Sequence, residues 1–214
     1  MTRRFGPEPG ELAEAARWLA GGGLLVIPTE TFYGLAVDPR DTAAVGALRA
    51  LKSRPEGDGL PLIAGDAHQV DACCPGWRDE PTLDALAAVF WPGPLSLVLP
   101  AARRLAPGVA ASDGTVAIRV TSHPVARDLC LTAGIALVAT SANPRGAAPP
   151  VRVDEALAGL PADPRLAVLD VGPVAGGRPS TIVRADARPP GWRVVREGAI
   201  AAETLGRALR EASR

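Results

Sequence analysis

Five short polar groups in this chain carry side chains able to hold a charged ligand. They are Thr29 to Tyr33 within Pro28-Thr29-Glu30-Thr31-Phe32-Tyr33-Gly34, then Lys52-Ser53-Arg54, Thr115 with Arg119, Ser141-Ala142-Asn143, and Ser180-Thr181. Four of them fall at strand ends or loop starts, where open α/β sheets gather their ligands. Arg119 lies inside an apolar run, Val116-Ala117-Ile118-Arg119-Val120. Strand alternation turns it away from Ile118 and Val120, so it either snorkels to the surface or clamps an anion. Each of the other groups also has a local reading: a Pro-punctuated turn at Thr29 to Tyr33, solvated helix-end charges at Lys52 and Arg54, a cap at Ser141, a turn at Asn143, a strand start at Ser180.

Signatures of other chemistry are missing. Gly46 stands six residues before Lys52 and Leu51 directly precedes it, so the Lys-Ser pair does not belong to a phosphate-binding loop. Neither a Gly-x-Gly-x-x-Gly turn after a strand nor a Gly-x-Ser-x-Gly elbow occurs. His68 and His123 are isolated and read as surface or turn residues. Cys73, Cys74 and Cys130 lack metal-ligand spacing and are odd in number, which argues for a reduced, cytoplasmic protein rather than a disulfide framework.

Composition sharpens the choice among the polar groups. The 214 residues hold 23 basic side chains, of which only Lys52 is lysine. Tyr33, Asn143 and Gln69 are likewise the sole representatives of their types. In a chain so depleted, a surviving lysine, tyrosine or asparagine marks a place that accepts no substitute. Three of these four survivors fall within the five groups. With 23 acidic residues the net charge is zero, which excludes a polybasic nucleic-acid arm and a disordered charged tail. No apolar run approaches a membrane span, and the opening Arg3-Arg4 is not followed by a signal-peptide core.

The elements that must position these groups alternate. Helices are predicted over Glu11 to Ala20 (stopped by Gly21-Gly22-Gly23), from an Asp41 cap to Leu51, and over Asp79 to Phe90, Pro124 to Ala133, Val153 to Leu160 and Thr204 to Ala212. Strands are predicted at Leu24 to Ile27, Leu60 to Ala64, Leu95 to Leu99, Thr115 to Val120, Ile135 to Ala139, Leu166 to Val171, Thr181 to Val183 and Arg193 to Arg196. Pro144 to Pro150 reads as an exposed loop. The pattern predicts one α/β or α+β domain with a mixed sheet.

The motifs together resemble the threonylcarbamoyl-AMP synthase (YrdC-type) family. Pro28 to Leu35, Lys52-Ser53-Arg54-Pro55, Trp91-Pro92-Gly93-Pro94-Leu95, Val116 to Val120 with His123-Pro124, Thr140 to Asn143 and Pro179 to Val183 carry the resemblance, which spans about Leu12 to Ile200. It implies a twisted mixed sheet flanked by helices around a concave basic cavity, in a single domain over residues 1–214 without the second C-terminal domain of longer members. It implies that L-threonine, bicarbonate and ATP give threonylcarbamoyl-adenylate and pyrophosphate, Mg²⁺ accompanying ATP. A partner transferase complex then modifies tRNA.

By the same resemblance, Lys52 and Arg54 serve catalysis and the triphosphate. Thr31, Tyr33, Arg119, Ser141 and Ser180 take threonine and its carbamate, and Thr115, Asn143 and Arg196 lie on the nucleotide side. The chain departs from the family pattern at Asp58, where some members carry Asn or Lys, and at Ile63 and Val151, where longer members carry His and a hydroxyl residue. Two competing classes remain: an RNA-binding or ribosome-assembly protein, disfavoured by 4% aromatic content, and a nucleotide-binding paralogue without synthase activity.

Overall fold

The structure, a computed structural model, describes residues 2–53, 55, 57–189 and 191–212; Arg54 is therefore outside the described residues. In chain order the elements are β1 (Arg3–Phe5), α1 (Pro9–Ala20), β2 (Leu24–Ile27), β3 (Gly34–Val37), α2 (Thr42–Leu51), β4 (Leu62–Ala64), α3 (Ala67–Cys73), α4 (Pro81–Phe90), β5 (Leu95–Pro100), β6 (Thr115–Val120), α5 (Pro124–Ala133), β7 (Leu137–Ser141), α6 (Val153–Gly159), β8 (Leu166–Leu169), β9 (Thr181–Ala185), β10 (Trp192–Arg196) and α7 (Ala202–Ala212). All the strands join one mixed sheet in the order β1-β8-β2-β3-β7-β4-β6-β5-β9-β10.

Period-two alternation sends successive strand residues to opposite faces, and the two faces are covered unequally. On one face Leu24, Val26, Leu35, Val138, Leu62, Ile118, Leu97 and Val183 pack with α2, α3, α4, α6 and α7 into a core that runs nearly the whole width of the sheet. On the other, Leu25, Ile27, Ala36, Ala139, Ile63 and Ala167 pack beneath α1 and α5. No residue of β5, β6, β9 or β10 joins this second cluster. Half of one sheet face is therefore left without a helical cover.

Local chemistry explains the boundaries. The Asp41 carboxylate accepts from the backbone N–H groups of Ala43 and Ala44 and starts α2 as predicted. The Gly21-Gly22-Gly23 stop takes the left-handed conformation at its second glycine: Gly21 keeps φ −85°, and Gly22 takes the positive φ of 81°. At Gly23 a Cβ would stand 2.3 Å from the Trp18 ring. β1, β3 and α3 escaped the sequence patterns. They are three, four and seven residues long, and β3 opens on a glycine. The predicted Ile135 to Ala139 strand lies two residues later, so Ser141 belongs to the strand itself.

Gln69, one of the compositional survivors, is structural. Its buried amide accepts from Gly65 N–H (2.9 Å) and donates to the Cys130 carbonyl (2.7 Å), bridging the end of β4 to α5. All three cysteines are buried and unbridged, and among the described residues no helix is long and apolar enough to cross a membrane. Replacing Gln69 by Leu keeps the volume but takes the acceptor from the Gly65 N–H, whereas the Cys130 carbonyl keeps the Ile135 N–H (3.3 Å). Gln69→Leu is expected to cost about 1–3 kcal/mol in urea unfolding; a loss under about 0.5 kcal/mol would show that the bridge is dispensable.

Candidate active site

The uncovered half-face is the floor of a cavity of about 560 Å³. β6 supplies Thr115, Ala117 and Arg119; β5 supplies Ser96 and Val98; β9 and the residue before it supply Ser180, Ile182 and Arg184; β10 supplies Arg193 and Val195, with Arg196 beside them. Walls come from the Thr29 to Gly34 segment between β2 and β3, from Thr140 to Asn143 at the end of β7, and from the Ala111 to Asp113 turn. The ligand space thus lies over a sheet face as well as at strand ends. Thr31, Tyr33, Thr115, Arg119, Ser141, Asn143, Ser180 and Arg196 all line it. Lys52 and Asp58 line an adjoining recess of about 320 Å³ that shares Thr140, Ser141 and Asn143 with the main cavity.

The wall turn is fixed by its own hydroxyls. Thr29 Oγ1 donates to the Phe32 carbonyl (2.6 Å) and accepts from the Thr31 and Phe32 N–H groups. Its single hydrogen is used, so in the 3.1 Å pair with Thr31 the donor is Thr31. Thr31 consequently offers lone pairs to a ligand donor. Tyr33 lines the wall, but its hydroxyl donates to the Gly172 carbonyl (2.6 Å), accepts from Val171 N–H (3.3 Å), and is pushed up in pKa by burial. That hydroxyl holds the loop after β8 against the wall.

Lys52 ends α2 and is buried. Its ammonium donates to the carbonyls of Ser141 (2.6 Å) and Asn143 and to Asn143 Oδ1 (3.3 Å). The only lysine and the only asparagine of the chain therefore meet. Asn143 in turn donates to the Ala147 carbonyl, so the contact fixes the loop after β7. Ser53 adopts φ +44°, the one described non-glycine residue in the left-handed region. Arg49 fastens the following loop through the carbonyls of Pro55, Asp58 and Gly108. Asp58 is exposed at the recess.

Arg119 neither snorkels nor stands alone. Its Nε donates to Glu30 Oε1 at 2.6 Å, with the side chains 8% and 11% exposed, far from the regime of a weak surface pair. Arg196 donates to the Ser180 carbonyl (2.8 Å) and hydroxyl (3.2 Å), and Ser180 Oγ meets Ser96 Oγ at 3.0 Å. Burial, and then the nearby Arg119 charge, hold the Arg196 pKa below its usual value. Thr115 donates to Asp113, which also pairs with Arg184. These hydrogen bonds, first that from Thr115, hold the Asp113 carboxyl at about 2, so it stays ionised near neutrality.

Glu30, Ser96, Asp113, Arg184 and Arg193 were not singled out from the sequence. Ser96, Arg184 and Arg193 share the floor with Arg119, so alternation extended along β5, β9 and β10 would have found them. Glu30 sits inside a recognised motif without an apparent partner; only the fold brings Arg119, 89 positions away, to it. Asp113 carried no signal beyond an Asp-Gly turn.

Fold and cavity together define an α/β protein with a single twisted mixed sheet, built to hold small anionic ligands. The Sua5/YciO/YrdC family model, described as telomere recombination, matches residues 17–198. The chain belongs to this family. It is 44% identical over 154 residues to the threonylcarbamoyl-AMP synthase of Halorhodospira halophila, covering 70% of this chain and 78% of that protein. With the one from Chromohalobacter salexigens it shares 39% identity over 176 residues, covering 80% and 90%. P. abyssi Sua5, solved in complex with L-threonine, superposes with TM-score 0.84 at 26% identity, over 97% of this chain and 60% of that one. E. coli YciO shares the fold at TM-score 0.82 and 20% identity, over 96% of this chain and the whole of that one.

The Lys52 clasp has a measurable consequence. A planar guanidinium is too broad to sit between the Ser141 and Asn143 carbonyls as a compact ammonium does. Lys52→Arg is expected to lose about 1–3 kcal/mol of stability in urea unfolding. A change below about 0.5 kcal/mol would show that the clasp does not constrain the residue.

Proposed function

We propose that this protein is an L-threonylcarbamoyladenylate synthase, a cytoplasmic nucleotidyltransferase that makes threonylcarbamoyl-AMP and pyrophosphate from L-threonine, bicarbonate and ATP. The observation that carries the reading is the cavity itself: the Arg119 guanidinium and the Thr31, Ser141 and Ser180 hydroxyls line the same space as Thr115, Asn143 and Arg196, and the Lys52 recess opens beside it. The relatives named threonylcarbamoyl-AMP synthase support the chemistry, and the threonine complex of P. abyssi Sua5 supports the amino acid as ligand.

The reaction asks for alignment and charge neutralisation rather than a protein nucleophile. Threonine nitrogen adds to the bicarbonate carbon and water leaves, giving a carbamate. A carbamate oxygen then attacks the α-phosphorus of ATP, and pyrophosphate departs with the electron pair of the broken P–O bond. In this reading Arg119 takes the threonine carboxylate, and Thr31, Ser141 and Ser180 orient the amino acid and carbamate. Asn143, Thr115 and Arg196 hold the nucleotide. Lys52 and Arg54 serve the phosphates, Lys52 from a position where it already organises the Ser141–Asn143 loop.

No cluster of three metal-ligating side chains occurs among the described residues. In this reading Mg²⁺ would arrive on the triphosphate, with phosphate and water oxygens as its main ligands; among the described residues Asp58 is the carboxylate that lines the Lys52 recess. The product would pass to a transferase complex acting on tRNA.

Two outcomes test this. Purified protein is expected to release pyrophosphate from ATP only with both threonine and bicarbonate, without tRNA. Absolute dependence on tRNA would instead favour an RNA-binding role, and threonine-independent nucleotide binding alone would favour a paralogue lacking the activity. Arg119→Ala is expected to raise the threonine requirement by about 2–3 kcal/mol, roughly 30- to 150-fold, and the ATP requirement far less. Arg119→Lys, which keeps a charge for Glu30 but not the planar fork, controls for the carboxylate left behind. Equal shifts for both substrates would remove Arg119 from the threonine end.

A further inference from the structure

We propose that Glu30 is a positioning residue for Arg119: it binds one edge of the guanidinium and so presents the two terminal nitrogens to the carboxylate of the amino-acid substrate. This rests on the functional reading above and deepens it. Glu30 sits in the wall turn whose backbone is locked by the Thr29 hydroxyl. Its two oxygens reach β6 and the residue that directly follows it. Oε1 accepts from Arg119 Nε and Oε2 from Thr121 Oγ1, each at 2.6 Å. Arg119 lies in β6 and Thr121 directly after it, with the Thr121 N–H still bonded to the Ala64 carbonyl (3.0 Å); two residues apart along this extended backbone, both point to the same side and one carboxylate can span them.

The second contact is directional. Thr121 Oγ1 accepts from the His123 N–H at 3.2 Å, which leaves its single hydrogen for Glu30. Glu30 is thereby held from one side by a neutral hydroxyl and from the other by a cation. The Arg119 charge, the Thr121 hydrogen bond and the residue's own backbone outweigh desolvation and keep the carboxyl below its ordinary pKa. The group is thus a carboxylate near neutrality.

Arg119 has five N–H donors in a plane. Glu30 uses the Nε–H, and among the described residues no hydrogen bond engages either terminal nitrogen. Arg119 lines the cavity, so these terminal groups are the part of the fork a ligand meets. The negative charge of Glu30 also bars a ligand carboxylate from the Nε edge and offsets the repulsion between Arg119 and nearby Arg196. Without Glu30 the guanidinium would be free to turn, and a bidentate ligand would have to order it on binding.

The test varies threonine and ATP separately in the pyrophosphate-release assay, for wild type, Glu30→Gln, Thr121→Val, Arg119→Lys and the Glu30→Gln/Arg119→Lys double variant. Thermal unfolding is followed in parallel. Glu30→Gln is expected to raise KM for threonine about tenfold with KM for ATP within about twofold; Thr121→Val should raise it about threefold. In the Arg119→Lys background Glu30→Gln should add less than about twofold, because the fork it orients is gone. Equal shifts in both KM values, no shift, or additive effects in the double variant would overturn the assignment. If Glu30→Gln does not fold, Thr121→Val decides alone: a threonine-selective shift supports the role and an unselective or absent one ends it. A wild-type protein inactive with threonine and bicarbonate would instead overturn the functional reading, and this role with it, whereas an active wild type with unaffected variants overturns only the role of Glu30.

Discussion

Everything at the site depends on the unequal covering of one sheet. α1 and α5 close the second face over β1, β8, β2, β3, β7 and β4, and among the described residues nothing comparable closes it over β6, β5, β9 and β10. A sheet face left open must be polar or be filled, because bare apolar surface of that size is costly in water. Here it is both shallowly polar and lined: Ser96, Ser180, Arg119, Arg184 and Arg193 interrupt Val98, Ala117, Ile182 and Val195. The alternation that builds the core beneath builds the binding floor above, one residue out of phase. A single-residue slip of β6 would exchange Arg119 for Ile118 and destroy core and site together.

Putting cations on such a floor creates a second requirement. Arg119 and Arg196 lie close enough for one to depress the pKa of the other. Two desolvated guanidiniums would be intolerable without acceptors, so each is tied: Arg119 to a carboxylate, Arg196 to the Ser180 carbonyl and hydroxyl. The ties consume only part of each fork. The cavity thereby keeps net positive character while every cation has a fixed orientation, a form of preorganisation for small anions.

The mixed sheet, the long helices and seven of the eight cavity residues were legible because each left a local mark: alternation at β6, the Asp41 cap, the Pro28 to Leu35, Thr140 to Asn143 and Pro179 to Val183 motifs; Arg196 was reached through the family resemblance alone. What was not legible was long-range. Nothing local tells that Glu30 pairs with Arg119, or that the Tyr33 hydroxyl is engaged 139 residues away at Gly172. Short elements were lost for a different reason. Three or four strand residues, as in β1 and β3, carry too few positions for a period to show, and these strands form because their neighbours β8 and β7 supply the pairing.

The compositional survivors separate along the same line. Gln69 and Tyr33 are retained because a buried backbone needs an amide or a phenol at that spot; Gln69 bridges Gly65 to Cys130, and Tyr33 ties Gly172 to the wall. Lys52 and Asn143 are retained at one place, and each satisfies the other. Rarity thus marks positions where chemistry is exacting, without telling structural from ligand-binding demands; only the geometry does that. For Lys52 the two demands coincide. Its ammonium organises the loop that carries Ser141 and Asn143, and the same side chain lines the recess beside it. A net charge of zero over the chain is compatible with this. What a small anion meets is the local arrangement of Lys52, Arg119 and Arg196 rather than the sum over the chain.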